Sequence, residues 1–144
     1  MALPERDGFP VVVHILLMRD SRLFLLRRAH TGFMDGYYGL PGGHLRRGES
    51  VSEATVRECR EETGAVPQDI EPRCVLPYIS GSHQGLNFVF ESHRFEGEPR
   101  VNEPELFDGC CWAGRDDLPA RVTPWLADAL AMPPGRWFRE FRWD

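Results

Sequence analysis

The chain has 144 residues, 27% of them charged and 42% apolar, an ordinary globular composition that argues against disorder. That length suits one domain over residues 1–144, with a core that holds without staples. A net charge of −5 excludes a general attraction to a nucleic-acid polymer or an anionic membrane, so a polyanionic substrate would need arginines or metal ions placed locally.

The opening stretch, "MALPERDGFP", lacks the basic and apolar regions of a signal peptide. The apolar run Val11–Met18 is too short to span a bilayer. "VVVHILLMRD" and "SRLFLLRRA" are β-rich runs on either side of Arg19-Asp20-Ser21, and together they predict a hairpin. Arg27 and Arg28 end the second run, and strand alternation points one inward and one outward. "HTGFMDGYYGLPGGH" reads as a long loop, and structureless loops of this length are usually functional.

A helix follows with clear boundaries. Ser50 with Glu53 forms a capping box, and Gly64 supplies the stop. Thr55, Val56, Cys59 and Thr63 fall on one mildly apolar face, while Glu58, Glu61 and Glu62 cluster on another. That cluster is costly. Glu58 and Glu62 stand at i,i+4, where like charges lose roughly 0.2–0.5 kcal/mol, and a helix C-terminus favours cations. Contacts of Arg57 with Glu53 and with Glu61, also at i,i+4, would soften the strain.

"RCVLPYIS", "GLNFVFESHRFEG" and "CCWAG" read as strands, and "TPWLADALAM" as a second helix with Thr123 as N-cap and Pro124 at its first position. The tail "PPGRWFREFRWD" reads first as an edge strand and second as a dimer contact. Cys59, Cys74, Cys110 and Cys111 show no C-x-x-C spacing and read as reduced thiols of a cytoplasmic protein. The five histidines show no ligand spacing, and His44 reads as structural. Strands bracketing two helices predict an α/β fold, a mixed sheet between helices.

Three carboxylates at i, i+3 and i+4 beside the rigid turn Leu40-Pro41-Gly42-Gly43 form either a solvated acidic face or a site for a hard cation. Mg²⁺ or Mn²⁺ takes oxygen ligands of this kind, with water and substrate phosphates completing the shell. A bound cation would also give an acidic protein a way to hold a phosphate chain.

Gly43, Glu49 and the run Arg57-Glu58-Cys59-Arg60-Glu61-Glu62-Thr63-Gly64-Ala65 resemble the Nudix box of the Nudix hydrolases, here spanning residues 43–65. Seven specified positions match, which chance would give on the order of 10⁻⁹ to 10⁻⁸ times per starting position. The resemblance implies the Nudix fold, an α/β/α sandwich with a mixed β-sheet. It implies hydrolysis of a nucleoside diphosphate linked to another moiety, with Mg²⁺ or Mn²⁺ as cofactor.

By that resemblance Glu58, Glu61 and Glu62 would be metal ligands, joined by the Gly43 carbonyl and by Glu103. Glu61, Glu58, Glu103 and Arg57 would make up the catalytic set, with Glu61 and Glu103 the candidates for general base. Arg57 would act as a brace paired with Glu49, while Gly43, Glu49 and Gly64 support the site. Asn102-Glu103-Pro104-Glu105 resembles a segment of small nucleotide-hydrolysing members, with Leu106 where a lysine is common. The plain reading of Glu103 is a solvated loop residue. Arg28 would contact phosphate, and Phe33 and Tyr38 (with Tyr37 beside it) would stack on a nucleobase or pack the core.

The short chain looks like a nucleoside triphosphate pyrophosphohydrolase acting on an ordinary or oxidised nucleotide, as a monomer or a homodimer. Hydrolysis of nucleotide sugars, ADP-ribose or dinucleoside polyphosphates is the alternative. From another class, a non-catalytic nucleotide sensor is disfavoured because all three box glutamates are present.

Overall fold

The computed structural model describes residues 3–143. Strands β1 (Val11–Arg19) and β2 (Arg22–Arg28) form the expected hairpin. Asp20 and Ser21 both take positive φ, 52° and 62°, as in the primed two-residue turns whose twist matches the strands they join. The two strands pair only near this turn, Met18 with Leu23 and Arg19 with Arg22, and then part.

Their divergence leaves backbone donors and acceptors to satisfy. The segment read as one long loop supplies them through two short strands, β3 (Tyr38–Gly39) on β2 and β4 (Gly42–His44) on β1. This corrects the loop reading: glycine-rich backbone also fits a crowded strand junction. A Cβ on Gly42 would lie 2.1 Å from the Val13 carbonyl oxygen.

Helix α1 (Val51–Thr63) is followed by β5 (Val66–Gln68), β6 (Glu71–Ser80), β7 (His83–Ser92), β8 (Arg94–Glu96), β9 (Phe107–Gly114), α2 (Pro124–Leu130) and β10 (Phe141–Trp143). The main sheet runs β10-β6-β7-β1-β2-β3, with β4 also on β1 and β9 also on β2. β1 and β7 are parallel, as are β10 and β6, and the other pairs are antiparallel, so the sheet is mixed. β5 and β8 form a separate two-stranded ribbon. The aromatic tail supplies β10 at the sheet edge, as its first reading expected.

Strand alternation divides the core into two layers. Ile15, Leu17, Phe24 and Leu26 face α1 and pack with Cys59 and Ala65. Leu16, Met18, Leu23 and Leu25 face the other way and pack with Leu126 and Ala129 of α2. Each fully buried aliphatic side chain contributes roughly 1.5–3 kcal/mol relative to exposure. The result is the expected helix–sheet–helix sandwich.

Thr123 stands at the N-cap of α2 with extended backbone, but its side chain makes no capping bond. Its Oγ1 is buried without a partner. Close packing against Gly39 explains this, since a Cβ there would lie 3.2 Å from the Thr123 methyl. All four cysteines are free, with Cys59 and Cys74 buried and Cys110 exposed. Among the described residues no helix is long and apolar enough to cross a membrane.

Candidate functional site

The C-terminal half of α1 carries the acidic cluster, and its position is fixed from both ends. Ser50 and Glu53 cap each other's backbone at the start, and Gly64 ends the helix with a left-handed φ of 79°. Because Glu53 is committed to the cap, Arg57 reaches back to Glu49 instead. Nε donates to Glu49 Oε2 at 2.9 Å and Nη2 to Oε1 at 2.6 Å, a two-pronged pair. The expected Glu53–Arg57 contact is thereby replaced, whereas Arg57–Glu61 is present at 3.3 Å. Arg57 also donates to Glu58 at 2.7 Å and to the His44 carbonyl at 3.1 Å. The guanidinium beside Glu49 lowers that carboxyl to about 2.

Glu58 lies against Gly43. A Cβ at that glycine would fall 2.5 Å from the Glu58 carboxyl carbon, so only glycine leaves the carboxylate its place. Burial raises the Glu58 carboxyl even though Arg57 pulls in the opposite direction. Glu62 is more extreme, at 6% exposure. The Gly42 N–H donates to its Oε1 at 2.8 Å. Burial still holds its carboxyl well above the usual range, with Glu58 and Glu103 adding repulsion.

A third segment closes the site. Asn102 Nδ2 donates to the Glu61 carbonyl at 2.9 Å, Asn102 N to the Glu62 carbonyl at 3.0 Å, and Arg100 N to the Thr63 carbonyl at 2.9 Å. These are carbonyls that the helix end leaves orphaned. The strap delivers Glu103 to the cluster, where burial raises its carboxyl and Glu105, Glu61 and Glu58 add to the effect. Glu103, a solvated loop residue on its plain reading, thus shares the field of the box glutamates.

Among the described residues no three His, Cys, Asp or Glu side chains are already gathered closely enough to hold a metal ion. Arg57 occupies the ground between Glu58 and Glu61. The donor set nevertheless suits a hard cation. It is all oxygen, it includes one carboxylate buried with a single backbone donor, and the Gly43 cradle keeps Glu58 beside it.

The two arginines ending β2 separate as alternation requires. Arg27 turns outward and pairs with Asp108 at 2.6 Å. A register shift between Arg27 and Arg28 in the pairing with β9 re-aims Arg28. Its Nε donates to the Phe33 carbonyl at 2.8 Å and its guanidinium lies 5.7 Å from the Phe33 ring centroid, so its recorded partners lie in the Thr31–Phe33 loop. Tyr38 is packed against the α2-side core, with Arg27 5.8 Å from its ring centroid. Phe33 is exposed and lies parallel to Trp125.

Sequence reading passed over His14, Asn87 and Trp125. They come from β1, β7 and α2, and no spacing along the chain links them. The one signal available was His14, a single polar residue inside the apolar run of β1.

The family model described as NUDIX domain matches residues 8–132. A protein of Escherichia coli (strain K12) described as 8-oxo-dGTP diphosphatase is 29% identical over 119 residues, covering 81% of this chain and 92% of that protein. An ADP-ribose pyrophosphatase of Methanocaldococcus jannaschii is 41% identical over only 58 residues, 40% of this chain and 34% of that protein. The crystal structure of a MutT NUDIX hydrolase from Burkholderia pseudomallei matches with a TM-score of 0.81 and 32% identity, covering 86% of this chain and 97% of that one.

Proposed function

This chain belongs to the Nudix hydrolases, and on that premise we propose that it hydrolyses a nucleoside triphosphate, ordinary or oxidised, to nucleoside monophosphate and pyrophosphate with Mg²⁺ or Mn²⁺. That it is a pyrophosphohydrolase of nucleotide-like substrates follows from the family and its named relatives. The cation dependence rests on one observation: Glu58, Glu61 and Glu62 project from the end of α1 into a field shared with Glu103.

Glu58, Glu61, Glu62, Glu103 and the Gly43 carbonyl are the groups that would hold the cation. When bound, it would neutralise phosphate oxygens, orient the chain and lower the pKa of a water. Glu61 or Glu103 then takes a proton from the attacking water, since a general base must lie within reach of the proton it removes. Arg28 draws the phosphate chain toward the cluster. Arg57 keeps Glu58 and Glu61 in place through its anchor on Glu49. The triphosphate is favoured because the 8-oxo-dGTP diphosphatase is matched over 92% of its length, whereas the ADP-ribose pyrophosphatase is matched over 34%. The protein acts in the cytoplasm on free nucleotides.

The test is a screen of purified protein against nucleoside triphosphates, oxidised dNTPs, ADP-ribose, nucleotide sugars and dinucleoside polyphosphates with each metal. Release of nucleoside monophosphate and pyrophosphate from a triphosphate is the expected result. Turnover confined to ADP-ribose or a nucleotide sugar would overturn the substrate, and tight binding without turnover would overturn the activity.

A further inference from the structure

The last strand of the chain leaves one edge of the main sheet open. Among the described residues β10 is the terminal strand, and it pairs with β6 alone. One register holds from Phe138 opposite Val75 to Trp143 opposite Ser80. Val75 N donates to the Trp137 carbonyl at 2.7 Å, and Arg139 N to the Val75 carbonyl at 3.2 Å. The odd-numbered residues of the tail therefore direct their backbone groups at β6. Backbone groups alternate along a parallel ladder, so the N–H and C=O of Phe138, Glu140 and Arg142 point away from the sheet. All three residues are exposed. Pro77 has no N–H to donate, which explains why the ladder is interrupted beside it.

An open edge is a template for another strand unless its side chains oppose pairing. Arg139, Phe141 and Trp143 form a row on the α2 side of the sheet. The Arg139 guanidinium lies 4.8 Å from the Phe141 ring centroid, and Phe141 and Trp143 stack with planes 10° apart. Phe141 also packs on the α2-side core. By alternation Glu140 and Arg142 stand on the opposite side, where they border a groove of about 370 Å³. Val11, Pro77, Ile79 and Leu86 line that groove together with Phe9, which is 53% exposed.

We propose that this edge is the docking surface for a second copy of the chain, the two β10 strands pairing antiparallel about a two-fold axis at Phe141. Because the even-numbered residues present the outward backbone groups, such a pair must set even residues opposite even ones. Charge then selects among the axes. An axis at Glu140 places that carboxylate opposite its own copy, and an axis at Arg142 places two guanidiniums together. An axis at Arg139 sets Arg136 opposite Arg142. With the axis at Phe141, Glu140 of each copy meets Arg142 of the other, and both ion pairs are favourable. The same axis sets Arg139 opposite Trp143 on the other face, an arginine–aromatic contact of the kind Arg139 already makes with Phe141. Opposite residues share a face, so the two grooves adjoin across the axis. This assignment stands apart from the hydrolase reading and does not depend on it.

The test is sedimentation equilibrium of the full chain over about 1–100 μM, for wild type and for charge variants at the two exposed positions. Wild type is expected to dimerise. Glu140→Arg and Arg142→Glu each set like charges opposite one another at two places, and each should weaken the dimer by about tenfold or more. Mixing these two variants restores both opposite-charge pairs, so a heterodimer should form where neither variant associates alone. That association also shows that both variants fold. In amide hydrogen exchange of wild type, Glu140 and Arg142 should gain protection as concentration rises, since their N–H groups face the second copy. A wild type that stays monomeric overturns the proposal. So do single variants that dimerise as tightly as wild type, and so does a mixture that fails to associate.

Discussion

Glu49 lies just before α1 and Glu62 lies in its last turn, and the fold treats the two carboxylates in opposite ways. Glu49 receives a two-pronged arginine and a backbone N–H from Arg46, and its carboxyl is lowered to about 2. Glu62 is more deeply buried, receives the Gly42 N–H, and has its carboxyl held well above the usual range. One end of the helix is electrically settled by an arginine, while the other carries a buried carboxylate with a single backbone donor. Arg57 links them, since it pairs with Glu49, Glu58 and Glu61 at once.

The contrast breaks most sharply at Arg57. Arg57→Ala leaves three carboxylates without their partner and is expected to cost about 3–5 kcal/mol in denaturant unfolding. Arg57→Lys should recover little, because a lysine cannot form the paired fork. A cost below about 1 kcal/mol would show that the braced end is not braced.

At the other end, Glu62→Gln should lower metal-dependent hydrolysis roughly 100-fold, about 2.7 kcal/mol of barrier. The same variant should melt higher than wild type in metal-free buffer near neutral pH, because the buried charge is gone while the Gly42 bond can remain. A rate within about threefold of wild type would remove Glu62 from the cation-holding set. Added Mn²⁺ should raise the melting temperature of wild type and leave this variant less affected, as ligand linkage requires.

Gly43→Ala is a smaller perturbation. Its Cβ would displace the Glu58 carboxylate, and the expected loss is about tenfold in kcat/KM, near 1.4 kcal/mol. Unchanged activity would mean that the Glu58 position is not used.

The least disruptive comparison is by pH. Glu49 has a folded value of about 2 against an ordinary 4.5, so its contribution to stability is complete above 4.5 and is lost as pH falls toward 2. Glu62 has the opposite sign, because a raised folded value makes stability fall as pH rises above 4.5. Acid unfolding of Glu49→Gln should therefore be flatter between those two values. Metal-free Glu62→Gln should lack the decline on the alkaline side. Parallel curves for the two variants would erase the distinction.

What was legible in the sequence was local. The capping box, the terminal glycine and the carboxylate spacing lie within one helix, so its period fixes them. Thr55, Cys59 and Thr63 are buried as that period required, and Val56 of the same face is half-buried. Glu62 looked like one more member of an acidic face. It is buried because the Gly42 strand and the Asn102 strap come from elsewhere in the chain to cover it. The long loop concealed two strands for a similar reason: they exist only because β1 and β2 separate. Thr123 stands where a cap belongs, but close packing at Gly39 leaves its hydroxyl unused. His14, Asn87 and Trp125 lie far apart in sequence and meet only across the finished sheet.

The strap of Arg100 and Asn102 gives the last turn of α1 a property its sequence alone would not confer. A helix end normally frays on its own, yet here three successive carbonyls are claimed by a loop many residues away. Opening that turn therefore requires releasing the strap, and releasing the strap moves Glu103. In amide hydrogen exchange the strap amides of Arg100 and Asn102 should behave as one cooperative unit with that turn, sharing its opening free energy and its temperature dependence. The acids of the box and the acid of the loop are thus gathered, or dispersed, in a single event.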